Sequence, residues 1–156
     1  MSEQTALAGR IRVYLDELDR VINRIIMLSS KAVKSDDDGY WDGVALNLHG
    51  YYSGVERIFE DVARTIDGTL PSGSDWHFGL LIQMSGETTN QRPPVISNKL
   101  RTSLDEYRGF RHVVRNVYAF NFRPARLKEL VDNLSGCHSM LQRELSDFCK
   151  FLNSLD

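Results

Sequence analysis

The feature that most constrains this chain is a pair of long apolar stripes with helical spacing. In the N-terminal part, apolar residues recur in alternating steps of four and three, at Leu7, Ile11, Tyr14, Leu18, Val21, Ile25 and Leu28. Such a heptad stripe is typical of a long helix that packs lengthwise against other helices. The same spacing returns after the SDDDG turn at 35–39, through Val44, Leu48, Tyr51, Val55, Ile58, Val62 and Ile66. We therefore predict two long antiparallel helices, the first over about residues 4–33.

The middle of the chain is less regular. The segments DGTLPSGSD (67–75) and SGETTNQRPP (85–94) are loops by composition. Between them, WHFGLLIQM (76–84) is at most a short helix. This part of the chain is therefore expected to form one elaborated connection between longer helices.

Two further helices are predicted after that connection. Ser97 suits the N-cap of a helix that runs through Tyr107 towards Tyr118, and Pro124 suits the first turn of a last helix. The buried face of the last helix is predicted to comprise Leu127, Leu130, Val131, Leu134, Leu141, Leu145, Phe148 and Leu152. No strand alternation of useful length is present. The sequence predicts an all-α, up-and-down bundle of four to five helices, as a single domain over residues 1–156.

The overall charge does not predict an anionic partner. Nineteen basic and twenty-one acidic residues give a net charge of −2, so any anion-binding site must arise from local clustering. The N-terminal stretch MSEQTALAGRIRVYLDELD has charges among its apolar positions. It predicts neither a signal peptide nor a membrane span, and we expect a cytoplasmic protein. Cys137 and Cys149 are roughly 18 Å apart along one predicted helix, so we expect reduced packing residues.

A local cluster of positive charge does occur in YRGFRHVVRNVYAF (107–120). On a helical wheel one arc, expected to pack into the bundle, holds Tyr107, Phe110, Val113, Val114, Val117 and Tyr118. The other arc holds Arg108, Arg111, His112, Arg115 and Asn116. A solvated basic face, paired with carboxylates elsewhere in the bundle, would account for this pattern. An RNA-backbone site would account for it too, since arginine suits phosphate and histidine titrates near neutrality.

The sequence also resembles a known family. The stretches that carry the resemblance are ALNLHGYYSGVERIFEDVA (45–63), WHFGLLIQM (76–84) and YRGFRHVVRNVYAFNF (107–122). They are similar to the HepT-like ribonuclease toxins of the HEPN superfamily. The resemblance implies a HEPN-like helical bundle, a homodimer, and RNA cleavage at the dimer cleft without a metal ion or cofactor. It also implies a toxin–antitoxin module, in which the partner is a minimal nucleotidyltransferase antitoxin.

The family's ribonuclease motif is an arginine, four to six residues, then a histidine, with a tyrosine two places on in the HepT group. Arg111 matches the arginine and Tyr118 the tyrosine, which the antitoxin would modify with AMP, but Asn116 stands where the histidine belongs. An amide cannot transfer protons at neutral pH. Either His112, one turn before Asn116, serves as the base, or the chain is a non-catalytic bundle that binds RNA, nucleotide or a protein partner. Arg108 and Arg115 are expected to bind RNA.

Three other polar residues complete the set of candidates. His49 and His77 have no Cys or His partner at ligand spacing, so we predict no metal site and a structural or surface role for both. Glu56 is either the acidic partner that holds an active-site arginine or a surface residue.

Overall fold

The structure is a computed structural model that describes residues 2–86, 91–116 and 122–155. These residues form five α-helices: α1 (Glu3–Lys34), α2 (Gly39–Val62), α3 (Trp76–Ser85), α4 (Asn98–Asn116) and α5 (Pro124–Ser154). The predicted all-α bundle is confirmed. Of the helices described, none has both the length and the apolar character that a membrane span requires.

The two predicted stripes form the centre of the core. Along α1 the stripe residues Leu7, Ile11 and Ile25 have no exposed surface, while Tyr14 and Val21 are partly buried. The α2 stripe is buried from Val44 to Val62. The wide apolar face of each helix is thus removed from water, which is the main stabilising contribution in a bundle of this kind.

The second long helix ends differently from the prediction. The sequence pattern extends one helix to Ile66, whereas the α-helix ends at Val62 and continues as a π-helical turn, Ala63–Asp67. Gly68 closes the turn with a φ of 72°, in the left-handed region. Glycine adopts this conformation without a Cβ penalty and is therefore a common residue after a helix end. The turn places Asp67 where it meets the connection to α4.

A buried arginine organises that connection. Arg92 donates two hydrogen bonds to Asp67, Nε to Oδ1 at 2.7 Å and Nη2 to Oδ2 at 2.8 Å. It also donates to the carbonyl oxygens of Gln83, Gly86 and Pro93. The Arg92 side chain is 0% exposed and that of Asp67 is 3% exposed. This clamp joins the end of the π-helical turn to the end of α3, and so contributes to holding α3 beside α2 and α4.

A chain of hydrogen bonds joins α1, α2 and α5 elsewhere in the bundle. The Tyr51 hydroxyl lies 2.9 Å from His138 Nδ1, and His138 Nε2 lies 2.8 Å from Asp19 Oδ1. A neutral imidazole satisfies both contacts if Nδ1 accepts from Tyr51 and Nε2–H donates to Asp19. Burial raises the pKa of Tyr51 well above its ordinary value, which keeps its hydroxyl a donor. Tyr51, Tyr52 and Phe59 are all fully buried in the core.

The start of α4 follows the prediction. The Ser97 hydroxyl accepts a hydrogen bond from Leu100 N at 3.1 Å, as an N-cap does. Glu144 of α5 accepts from both the Ser97 amide and its hydroxyl. The Tyr107 hydroxyl donates to the Leu130 carbonyl at 2.7 Å. These contacts fix the rotation of α4 about its axis, and with it the directions of the basic side chains.

The prediction that Val113 packs into the bundle from α4 is wrong, and Val117 and Tyr118 of the same predicted arc lie outside the described residues. Val113 is 42% exposed, whereas Tyr107 and Phe110 are buried. At 100° per residue the buried arc centres between Tyr107 and Phe110, and Val113 lies at its edge.

The last helix agrees with the sequence prediction. Pro124 is in the first turn of α5, and Cys137 and Cys149 are buried and unpaired. Burial raises the pKa of Cys137 to about 12.

Candidate functional site

The basic part of α4 borders an open cavity of about 540 Å³. Its walls come from α4, from the first turn of α3 and from the loop before α3. The lining residues are Ser74, Asp75, His77, Phe78, Arg108, Arg111 and His112. Three of the residues that the sequence selected, Arg108, Arg111 and His112, thus share one cavity. Four of the seven lining residues are arginine or histidine, so the cavity is suited to an anionic group.

Arg111 lies against a buried carboxylate of α2. Its Nε is 3.9 Å from Glu56 Oε1 and donates to Ser53 Oγ at 3.4 Å. Glu56 is only 4% exposed. Glu56 is therefore not a surface residue. It is the acidic partner of Arg111, the arginine that matches the family motif. Arg111 reaches α2 because it lies closer to the buried arc of α4 than the other basic residues do, about 70° from its centre.

His77 is the residue that sequence reasoning missed. Its Nδ1 is 2.6 Å from Glu56 Oε2, the second oxygen of the carboxylate that faces Arg111. Its ring lies against Trp76, with 3.7 Å between the ring centroids and an angle of 31° between the planes. The contact joins two residues on different helices that are twenty-one positions apart in sequence, and no spacing rule predicts it. The available signal was the histidine in WHFGLLIQM, one of the stretches that carry the family resemblance.

Opposing effects act on the pKa of the Glu56 carboxylate. Burial raises its pKa above the ordinary value, while the hydrogen bond to His77 and the charges of His77 and Arg111 lower it again. Burial is the largest of these effects, and the pKa remains raised. A buried carboxylate is stable in its charged form only when it is paired, so Glu56, His77 and Arg111 depend on one another.

Arg108 lies at the outer wall of the cavity. Its Nε contacts Asp105 Oδ1 at 2.5 Å, one turn earlier on α4, and its guanidinium lies 5.2 Å from the centre of the Phe78 ring. Pairing with a carboxylate elsewhere in the bundle, the simpler explanation for a basic helix face, holds for Arg111 with Glu56 of α2, whereas Arg108 pairs within α4. These pairs do not remove the cations from the cavity, since both side chains still line it.

Three predicted site residues cannot be placed in the cavity. Arg115 and Asn116 belong to the last turn of α4, but their side chains lie outside the described residues, and so does Tyr118. His49 is half-buried on α2 and does not line the cavity. Within the described parts of the chain, no group of three or more His, Cys, Asp or Glu side chains could hold a metal ion.

Comparisons with known proteins identify the family of the chain. A family model described as HepT-like protein matches residues 43–152. The match begins in α2 and ends in α5, and it includes every residue that lines the cavity. No curated protein and no solved structure matches the chain.

Proposed function

Because the chain belongs to the HepT-like proteins, we propose that it is a ribonuclease toxin of a toxin–antitoxin module, which cleaves RNA in the α3–α4 cavity without a metal ion. One observation carries the proposal. The cavity combines two guanidinium groups, Arg108 and Arg111, with the imidazole of His112. This combination supplies cations for the phosphate and a group for proton transfer, both of which phosphodiester cleavage by the 2′-hydroxyl of RNA uses.

The chemistry assigns a role to each group. Arg111 stabilises the charge that develops on the phosphate oxygens in the transition state, as preorganised donors do in other active sites. Arg108 binds the phosphate backbone of the same RNA. His112 exchanges a proton with a ribose oxygen, which Asn116 at the motif position cannot do. Arg115 is a further RNA-binding residue by its position on α4.

The test is digestion of total RNA and tRNA by the purified protein in the presence of EDTA. We expect cleavage with fragments that end in a 2′,3′-cyclic phosphate, and loss of cleavage in His112→Ala by roughly 10²–10⁴-fold. A requirement for Mg²⁺ would contradict the mechanism. Binding of RNA without any cleavage would instead support the second candidate, a non-catalytic HEPN bundle, which the presence of Asn116 favours.

We further propose that the protein is a homodimer with α3 and α4 at the seam. Phe78 and Ile82 on α3 are each 41% exposed, and Val113 on α4 is 42% exposed. Exposed apolar residues near a basic cavity are expected where a twofold partner covers them. Sedimentation at micromolar concentration should show twice the monomer mass of 17.8 kDa.

A pair of variants makes this prediction specific. Val113→Glu should shift the protein towards the monomer, because it places a charge within the seam. Leu46→Glu is the matched control, because Leu46 on α2 is 67% exposed and lies outside the proposed seam. A wild-type protein that sediments only as a monomer would exclude the dimer.

We propose the antitoxin partner on the family resemblance alone. A minimal nucleotidyltransferase that places AMP on Tyr118 would add negative charge close in sequence to Arg111 and Arg115. That charge would compete with RNA phosphate for the guanidinium groups. Both the partner and the modification of Tyr118 remain predictions, since Tyr118 lies outside the described residues.

A further inference from the structure

His77 is not part of the family motif, yet its contacts hold its ring in a fixed orientation. Its Nδ1 is hydrogen-bonded to the buried Glu56 at 2.6 Å, and Trp76 covers a face of its ring. The side chain is nevertheless 21% exposed, and it lines the cavity together with Arg111 and His112. His77 thus has a buried carboxylate at one nitrogen and an open cavity beside its ring, which a purely space-filling histidine does not require.

The hydrogen bond determines which nitrogen can take part in proton transfer. With Nδ1–H donated to the carboxylate, Nε2 is the nitrogen through which the ring can exchange a proton with a molecule in the cavity. A carboxylate in this position holds the imidazole in one tautomer and stabilises the imidazolium when it forms. The arrangement of Glu56 and His77 therefore resembles the base and orienting group of other hydrolytic sites.

We propose that His77, oriented by Glu56, is the second proton-transfer residue of this cavity and acts with His112 on the RNA phosphodiester. The inference rests on the proposed ribonuclease function. It explains how cleavage can proceed with Asn116 at the motif position, because α3 supplies a second imidazole beside that of His112 on α4. Glu56 is a positioning residue in this scheme, and it holds both His77 and Arg111.

The reaction balances with these groups alone. The ribose 2′-oxygen attacks phosphorus and loses its proton to one imidazole. The bond between phosphorus and the 5′-oxygen breaks, and the other imidazole, protonated at the start, donates its proton to that oxygen. The products are a 2′,3′-cyclic phosphate and a 5′-hydroxyl, and neither water nor an oxidant is consumed.

Several charged groups face His77 from the surrounding elements. Glu56 faces it from α2, and Asp75 precedes it in the loop that lines the cavity. From α4, the cavity wall contributes Arg108, Arg111 and His112. Two histidines that act as acid and base produce a bell-shaped dependence of the cleavage rate on pH. Removal of one of them should abolish one limb of that profile.

The experiment compares wild type, His77→Ala and the matched control His49→Ala in EDTA across the pH range. We expect His77→Ala to lower the cleavage rate by roughly 10²–10⁴-fold and to lose one limb of the pH profile. Free imidazole in the buffer should restore part of the rate, because it can occupy the space beside Glu56. His49→Ala should retain the wild-type rate and profile.

Additional variants separate proton transfer from folding. His77→Gln keeps an amide donor for Glu56 and should be folded by circular dichroism but as inactive as His77→Ala. Addition of Asn116→His to His77→Ala should recover cleavage, since an imidazole returns to the motif position. A rate loss with both limbs of the profile intact and no imidazole rescue would overturn proton transfer by His77.

The outcomes also separate this inference from the proposed function. Wild-type cleavage that His77→Ala leaves unchanged would overturn the role of His77 and leave the ribonuclease function standing. A wild-type protein that does not cleave RNA at any pH would overturn both.

Discussion

Arg111→Ala is expected to lower the rate of RNA cleavage by roughly 10²–10³-fold, the usual cost of removing a donor that stabilises transition-state charge. Arg111 is suited to this role because its orientation is fixed before RNA binds. Ser53 accepts from its Nε at 3.4 Å, and Glu56 lies 3.9 Å away. A guanidinium held in this way loses little side-chain entropy when it contacts a phosphate. The measurement is a single-turnover cleavage rate in EDTA.

The matched control is Arg57→Ala. Arg57 is the next residue to Glu56 on α2, but its side chain is 62% exposed and its nearest acidic partner, Glu17, is 3.7 Å away. Loss of that surface pair should leave cleavage unchanged. Circular dichroism at the assay pH is needed for Arg111→Ala, because the variant leaves the buried Glu56 with His77 as its remaining close partner. A folded Arg111→Ala that cleaves at the wild-type rate would contradict the role of Arg111.

The same variant distinguishes an enzyme from a binding protein. If the cavity only binds RNA, Arg111→Ala should still weaken RNA retention and reduce its dependence on salt concentration, because fewer counterions are released. Cleavage would then be absent in wild type as well. The salt dependence of binding and the rate of cleavage therefore test the charge of Arg111 and its catalytic use separately.

The fold was predictable because its signals are local and repeated. The stripes from Leu7 to Leu28 and from Val44 to Val62 fix two helices, and Ser97 and Pro124 mark the starts of α4 and α5. The π-helical turn after Val62 was not predictable, since apolar spacing does not distinguish a π turn from one more α-helical turn.

The candidate site was predictable only in part. Arg108, Arg111 and His112 were selected because they lie on one helix, where spacing determines which side chains are neighbours. Glu56 and His77 come from α2 and α3, and their contact with Arg111 depends on how those helices pack. The wheel also treated Val113 as buried, because it assigns each residue to an arc without information on the neighbouring helices.

The second large effect is expected for the buried Arg92–Asp67 pair, which joins the π-helical turn after α2 to the end of α3. Arg92→Leu should lower the free energy of unfolding by about 3–5 kcal/mol, the usual cost of breaking a buried ion pair from one side. The substitution leaves the Asp67 carboxylate, which is 3% exposed, without its guanidinium partner. It also removes the donors to the carbonyl oxygens of Gln83 and Gly86. Urea denaturation followed by circular dichroism measures the change.

Two comparisons determine whether the unpaired charge is the cause. Arg64→Leu removes an exposed pair with Glu60 at i and i+4, and it should cost only about 0.3–0.5 kcal/mol. The double variant Arg92→Leu/Asp67→Leu should be more stable than Arg92→Leu alone, because no buried charge is left without a partner. A double variant as unstable as the sum of both single variants would show that the two residues act independently. Because α3 carries His77 and the clamp holds the end of α3, Arg92→Leu should also reduce RNA cleavage under conditions in which the protein remains folded.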